Sequence, residues 1–506
     1  MIIKLNSKDV TMKTLVFLHL WKAVIIIPFT IVCLLIPLSV HAQPAEESVD
    51  TAQIDQFVNS AMNELNIPGA SLAIVKEGRI VYMEGYGISG PNSSPVTPQT
   101  PFVLGSTSKS ITAMAVIQLV EKGKIRLDDP VQYYLPWFRV ADLEASRRIT
   151  IRELLNQTSG LSTYAGESTL TTGDESIEQH IRSLKHVQLT APVGSVFQYS
   201  NLNYNILSGV IQAASGQSYT EYVQQHIFKP LHMKHSYTSP DEARKDGLAT
   251  GYQPVFGFML PTKQLNHEGT VASGYLISSA EDMAHYLTAQ MNEGQNGPSP
   301  VLSVKGISTL QKPVAYMGGG SYYAMGWVVD KKGISHNGAT ENTYSKMTIN
   351  ENYGVILLVN SLDYLDLQSY DKIMTGINAI LNGGEIPQIG MSDLERTIFL
   401  LVNWVLITIL AILAQSVFGL FNWKTRSRTT SGRLLHIVSI LFFHVLIPSL
   451  LLMTLPKLLV PWSVIKLFLP GLGHVIYFIL ILLLGVGVVK TALVMRTILK
   501  KKHHLV

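Results

Sequence analysis

Hydrophobic and polar positions along this chain follow three regimes. Between residues 52 and 385 the apolar positions recur with short periods, broken by turn residues. Ile54, Phe57, Val58, Met62 and Leu65 line one helical face ahead of Ile67-Pro68-Gly69. Residues 70–75 and 79–86 read as two strands joined at Glu77-Gly78, a hairpin. Ile111, Met114, Ala115, Ile117, Leu119 and Val120 mark a second helix, and 124–134 is a polar connector. A short helix over 149–156 ends at Gln157-Thr158-Ser159-Gly160, and helical patterns at 202–215 and 218–227 close on Pro230. The 240–270 stretch is irregular and rich in turn residues. A helix at about 279–292 follows Ser278-Ser279, with Glu281-Asp282 in its first turn. After Gly318-Gly319-Gly320 come strand-like segments at 323–329, 333–335, 343–349 and 354–360, then a helix at about 369–382 stopped by Gly383-Gly384. Strands at both ends with helices between them predict an α+β plan whose two ends share one antiparallel sheet.

The second regime is continuous. Residues 397–421, 434–455 and 472–495 are apolar runs long enough to cross a bilayer, and their internal His444, Pro448, Gly485 and Gly487 are residues such spans tolerate. Lys424, Arg426, Arg428 and Arg433 fill the first loop, and Arg496, Lys500, Lys501 and Lys502 follow the third span. The second loop holds only Lys457 and Lys466, beside Pro456, Pro461 and Trp462. This asymmetry places the first loop and the tail in the cytoplasm, and the second loop and residues 43–395 outside. The third regime is the N-terminus. Lys4, Lys8, Lys13 and Lys22 precede the apolar run 23–40 and the small residues of Val40-His41-Ala42, a secretory signal cut after Ala42, with an uncleaved anchor as the alternative. The expected organisation is signal 1–42, leader 43–51, extracellular domain 52–385, linker 386–396, three spans within 397–495 and a basic cytoplasmic tail 496–506. The expected location is the cell membrane, multi-pass.

Composition sharpens this picture. The chain is 47% hydrophobic and only 15% charged, and its net +4 conceals an asymmetry. Residues 396–506 hold 12 Lys and Arg without one acid, and residues 1–42 hold four basic residues and Asp9. That leaves 23 of 39 basic and 34 of 35 acidic residues for 43–395, a net −11. An acidic extracellular domain repels polyanions, which excludes nucleic acid as the partner and leaves lipid as the expected surroundings of the spans. The one cysteine, Cys33, lies in the signal, so a cut chain has no disulfide and no thiolate metal site.

The candidate chemistry starts at Ser106. Ser106 and Lys109 form a Ser-x-x-Lys at the mouth of the second helix, where three-residue spacing puts both side chains on one face. A serine needs a base before it attacks a carbonyl, and a desolvated lysine loses its proton readily. Tyr199-Ser200-Asn201 sits in a loop ahead of a helix, and His336-Asn337-Gly338 falls between two short strands. His267-Glu268-Gly269 has the same spacing as the latter, but in the irregular stretch, where a surface loop is expected.

In that order, Ser106-x-x-Lys109, Tyr199-x-Asn201 and His336-x-Gly338 resemble the three motifs of the serine penicillin-recognising enzymes. The chain is similar in particular to the class C β-lactamase branch, with its D-alanyl-D-alanine carboxypeptidases, D-aminopeptidases and esterases. Gln157-Thr158-Ser159-Gly160-Leu161, Pro230-Leu231-His232-Met233 and Ala272-Ser273-Gly274-Tyr275 match stretches typical of that branch, and the similarity covers about 52–385. The resemblance implies a β-lactamase/transpeptidase-like antiparallel sheet with flanking helices and an all-α subdomain. It implies Ser106 as nucleophile, Lys109 and Tyr199 sharing its proton, and Asn201 bonding Lys109 and the substrate amide. The N–H groups of Ser106 and Ala339 would form the oxyanion hole, with Gly338 admitting the substrate strand. No metal or cofactor is expected.

One departure bears on specificity. Many β-lactamases of this branch have lysine where this chain has His336, and a mostly neutral imidazole weakens the pull on a carboxylate. The reading is therefore a membrane-anchored extracellular serine hydrolase acting through an acyl-enzyme on a small peptide, ester or cell-wall substrate, with β-lactams as covalent ligands. The catalytic domain followed by three spans also resembles membrane-bound peptidases that mature secreted prodrugs, although Val103, Asn201 and Thr340 replace their specificity residues. A penicillin-binding receptor is the non-enzymatic alternative.

Overall fold

The computed structural model describes residues 49–171, 175–297, 300–421 and 437–503. The expected signal, most of the leader and the basic first loop lie outside the described residues. Twelve strands are present among those described: β1 (Gly69–Lys76), β2 (Arg79–Gly87), β3 (Phe102–Val103), β4 (Gly251–Val255), β5 (Phe258–Thr262), β6 (Ile277–Ser278), β7 (Ala315–Gly318), β8 (Ser321–Tyr323), β9 (Val328–Asp330), β10 (Gly333–Ala339), β11 (Tyr344–Ile349) and β12 (Tyr353–Val359). Eight of them form one antiparallel sheet in the order β2-β1-β12-β11-β10-β9-β8-β7. The two ends of the domain do share it: β1 pairs with β12 in register from Ala70 opposite Val359 to Lys76 opposite Tyr353.

A period of two explains why β1 and β12 take the centre. Ala73 and Val75 of β1, with Ile356 and Leu358 of β12, enter one core. Leu72 and Ile74, with Val355, Leu357 and Val359, enter the other. A strand buried on both faces reads as an unbroken apolar run, as β12 does. The first core lies under helices Ser108–Glu121, Asn201–Ser215 and Ala280–Met291. The second is roofed by helices Thr51–Glu64 and Leu367–Asn382, the latter ended by Gly383 in the left-handed region at φ 66°.

The structure corrects four expectations. The irregular 240–270 stretch holds helix Pro240–Lys245 and the β4–β5 hairpin, which turns at Phe256-Gly257 with φ values of 52° and 88°. Most of β5 is solvent-exposed, so no buried face forced an alternation that sequence reading detects. The expected strand 323–329 is two strands, β8 and β9, divided by Gly326 at φ 80°. The intervening Ala324, Met325 and Trp327 fill the core without joining a ladder. The polar connector 124–134 ends in a helical turn, Val131–Tyr134. His336-Asn337-Gly338 does not sit between strands; it lies within β10, paired residue by residue with Met347, Lys346 and Ser345 of β11.

Three helices are long and apolar enough to cross a membrane: Phe399–Leu420, Ile437–Leu458 and Leu472–Arg496. Polar groups from all three meet in one buried junction. His444 Nε2 lies 2.7 Å from Ser416 Oγ and accepts from Lys490 Nζ at 3.0 Å. Gly487 admits this approach, since a Cβ there would stand 2.7 Å from His444 Cβ. Between the second and third of these helices, helix Trp462–Phe468 packs Val464 and Phe468 into the second core, and Leu467 O accepts from Gln253 Nε2 of β4 at 2.8 Å.

Candidate active site

Ser106 stands in a single 3₁₀ turn, Gly105–Thr107, that leads directly into helix Ser108–Glu121. Gly105 takes φ 58°, and the turn is pinned from outside by Ser345 Oγ, which donates to Leu104 O at 2.5 Å, and locally by Thr107 Oγ1, which donates to the same oxygen at 2.8 Å, and Ser108 Oγ, which donates to Gly105 O at 2.7 Å. One turn on, Lys109 is wholly buried. Its Nζ lies 2.9 Å from Ser106 Oγ, 2.8 Å from Asn201 Oδ1 and 2.5 Å from Ser273 O. Burial without a carboxylate partner holds this amine well below its ordinary pKa of 10.5. A neutral amine has two N–H groups and one lone pair. Asn201 Oδ1 and Ser273 O can only accept, so they take the two N–H groups and leave the lone pair facing the serine hydroxyl. The arrangement can withdraw a proton from Ser106.

Tyr199 flanks the same amine, its ring centroid 4.8 Å from Lys109 Nζ. Burial raises its phenol well above 10, the neighbouring Tyr323 adds to the rise, and a hydrogen bond with Ser106 works the other way. The group is a neutral hydroxyl, fit to deliver a proton. Its loop is built by Gln157, itself at φ 61°. Gln157 Oε1 accepts from Ser200 N at 2.9 Å and from Asn203 Nδ2, and Gln157 O accepts from Gln198 N at 2.8 Å.

The opposite wall is β10. A Cβ on Gly338 would stand 2.1 Å from Leu104 O and 2.8 Å from Ser106 N, and one on Gly105 would stand 2.5 Å from Ala339 N. The backbones of 105–106 and 338–339 are thus in direct contact, which brings the Ser106 and Ala339 N–H groups to one side of the nucleophile. His336 Nδ1 donates to Asn337 O at 2.6 Å, and Nε2 lies 3.5 Å from Tyr323 Oη. Burial is the main cause that pulls the imidazole down to about 3. His336 is neutral across physiological pH.

The sequence shows Gln157 and Ser273 within motifs but not their parts as organisers of this site, nor that of Tyr323: Ser273 acts through its backbone carbonyl, Tyr323 through packing, and the Gln157 side chain through contacts with a distant loop. Sequence reading also misplaced His267, which is no surface-loop residue: it is 3% exposed and stacks on Tyr275 at 3.4 Å between centroids. Glu341 lies buried in the same region and accepts from Gln264 Nε2 at 3.1 Å. Among the described residues, no three His, Cys, Asp or Glu side chains converge as a metal-ligand set.

These buried groups set an acid limit. Burial draws His180 down to about 4 and His267 to about 3, beside His336 at about 3. Unfolded, each protonates near 6.5; folded, each resists. The stability is complete above pH 6.5 and lost as pH falls towards 4, about 3 kcal/mol for His180 alone. Glu341, raised by burial to about 7, acts in the opposite sense, as do Glu167, Asp282 and Asp363, also raised. Taken together the three histidine shifts exceed that of Glu341, so the melting temperature should drop between pH 6.5 and 4. A flat profile by scanning calorimetry would contradict neutral burial.

Comparison with known proteins agrees with this fold. The Beta-lactamase family profile matches residues 54–373. "Protein flp" of Staphylococcus aureus (strain MW2) is 31% identical over 316 residues, 61% of this chain and 62% of that protein's length. "Penicillin-binding protein 4" of Amycolatopsis lactamdurans is 28% identical over 328 residues, 62% of this chain and 85% of its own. The octameric penicillin-binding protein homologue from Pyrococcus abyssi superposes with a TM-score of 0.60 at 27% identity, covering 66% of this chain and 78% of that one. A family match across more than half the chain, on a sheet with a serine turn packed against its β10 strand, places this protein in the beta-lactamase family.

Proposed function

We propose that this protein is a membrane-anchored serine hydrolase whose catalytic domain faces outward and acts on a small peptide or ester of the cell wall. The observation that carries the reading is the buried Lys109 amine, held well below its ordinary pKa by desolvation and 2.9 Å from Ser106 Oγ. Lys109 takes the Ser106 proton as Oγ bonds to the substrate carbonyl carbon. The oxygen, now negative, faces the N–H groups of Ser106 and Ala339. The Tyr199 hydroxyl hands a proton to the departing amine or alcohol and recovers one from Lys109. Water then attacks the acyl-enzyme by the same steps in reverse and frees the acid. Asn201 fixes Lys109 and offers its amide to the substrate.

Neutral His336 supports small D-amino-acid esters and amides over carboxylate-bearing β-lactams. The wild type should turn over a D-alanyl ester faster than a chromogenic cephalosporin. His336→Lys should move the preference towards the cephalosporin and a D-Ala-D-Ala peptide by about 10- to 100-fold in kcat/KM, the worth of one charged hydrogen bond of about 1.5–3 kcal/mol. Fast cephalosporin hydrolysis by the wild type would reverse this assignment. Intact-mass detection of a lasting adduct on Ser106, with turnover of none of the three substrates, would establish a receptor instead.

A further inference from the structure

The β4–β5 hairpin presents an apolar tip that nothing in the catalytic fold requires. Phe256, Phe258 and Leu260 are 63%, 72% and 44% exposed, on a hairpin whose base is fixed to the domain through Tyr252 N, which donates to Asn360 O at 2.8 Å. The tip touches the start of the third apolar helix. Phe256 lies against Gly471, close enough that a Cβ there would stand 3.1 Å from its ring, and Gly471 immediately precedes Leu472, where the third apolar helix begins. The tip therefore sits level with the end of that helix. Aromatic and basic groups of the kind that mark a lipid–water boundary cluster at the same level: Trp462 and Tyr477 pack at 5.2 Å, and Lys466 Nζ lies 4.7 Å over the Tyr477 ring.

The same level borders the candidate active site. Gly166 packs on the Tyr199-Ser200-Asn201 loop, where a Cβ would stand 2.7 Å from Asn201 N. Five residues on, Thr171 Oγ1 reaches Ser463 Oγ of the inter-span helix at 3.5 Å. Glu167 acts electrostatically on both Tyr199 and Tyr364, and the Tyr364 ring meets Phe468 of that helix edge-on at 5.4 Å. One short segment, Thr163 to Thr171, thus bridges the catalytic tyrosine loop and the membrane boundary.

We propose that Phe256, Phe258 and Leu260 seat in the outer leaflet beside the third span, and that this seat holds the catalytic cleft at the bilayer surface, where it draws lipid-anchored peptides or esters. The proposal rests on the membrane-anchored, outward-facing reading given above. Three exposed apolar side chains at a hairpin tip are stable in water only at a cost; in the interface they bury that area, and the spans supply the proximity. A cleft fixed at this height meets an amphiphile at the concentration of the bilayer.

The test uses the full-length chain with Cys33→Ser, reconstituted in phosphatidylglycerol/phosphatidylcholine nanodiscs. Phe258→Cys carries a fluorophore and is compared with Asn352→Cys on the β11–β12 turn, with doxyl-labelled lipid as quencher. Phe258 should be quenched at least threefold more than Asn352. The variant Phe256→Ser/Phe258→Ser should retain labelling of Ser106 by a soluble fluorophosphonate and hydrolysis of a soluble acetyl ester, yet lose tenfold or more of its rate on a dodecanoyl ester embedded in the nanodisc. Equal quenching at the two sites, or equal loss on both esters, would overturn the proposal. So would Phe258→Cys cross-linking between copies in place of quenching, which would assign the tip to a second chain. Cysteines at Ser427 and Ser463 separate this from failure of the parent reading: on intact cells an impermeant reagent should reach Ser463 and not Ser427. If that pattern fails, the topology is wrong; if it holds and the quenching fails, only the hairpin seat is wrong.

Discussion

Replacing Lys109 with methionine should slow acylation of Ser106 by about 10²- to 10⁴-fold, the worth of a positioned general base, or about 3–5 kcal/mol of barrier. Methionine keeps the volume of the stem in a fully buried site, so the loss reports the amine and not a cavity. Removing the amine leaves Asn201 Oδ1 and Ser273 O without their donor, a stability cost of about 1–3 kcal/mol each that a melting curve must register separately from rate. The pH profile carries more information than the rate alone. Because burial holds Lys109 well below 10.5, kcat/KM of the wild type should rise with pH through a low free-enzyme pKa and reach its plateau before the alkaline range. Tyr199→Phe should lose a similar factor. The double variant should be little worse than either single, since base and relay act on one proton. Near-normal acylation by Lys109→Met, or a profile still climbing at pH 10, would remove Lys109 as the base.

The residues behind that prediction were legible in the sequence because their chemistry is local. Ser106 and Lys109 are three positions apart on one helical turn, and the apolar period of Ile111 to Val120 announces that helix without any tertiary information. The shared sheet was legible for the same reason: β1 and β12 are apolar enough to need two covered faces. What stayed hidden depends on contacts between distant segments. Ser273 meets Lys109 through a backbone carbonyl, which every residue has, so no side-chain pattern marks it. Gln157 was visible within a motif, but its work, a left-handed residue whose amide ties Ser200 to the fold, is only a geometry. His267 read as a surface residue because its neighbours are polar; stacking on Tyr275 buries it. The β4–β5 hairpin and the continuation of β10 past Ser335 escaped because a strand with a solvent face or a site face carries no apolar alternation.

Gly338→Ala should abolish most activity while leaving Ser106, Lys109 and Tyr199 chemically untouched. The added methyl meets Leu104 O at 2.1 Å, Ser345 Oγ at 2.5 Å and Ser106 N at 2.8 Å, and two of these are backbone atoms that cannot turn aside. Strand β10 must therefore move away from the serine turn, and Ala339 N moves with it. An oxyanion donor displaced in this way costs about 10²–10³ in kcat, close to 3–4 kcal/mol. The sheet resists the shift, because β10 is paired with β11 from Ile334 to Ala339, so a stability loss of about 1–3 kcal/mol should accompany it. The neighbouring Asn337→Ala separates the two effects: it lies on the same strand, pairs with Lys346 and leaves the Gly338 contact intact. Asn337→Ala should keep kcat within about threefold, while Gly338→Ala loses it with KM for a small ester little changed, the signature of an interaction made in the transition state. Measured in parallel, equal kcat for Gly338→Ala and wild type would show that the strand does not supply the second donor.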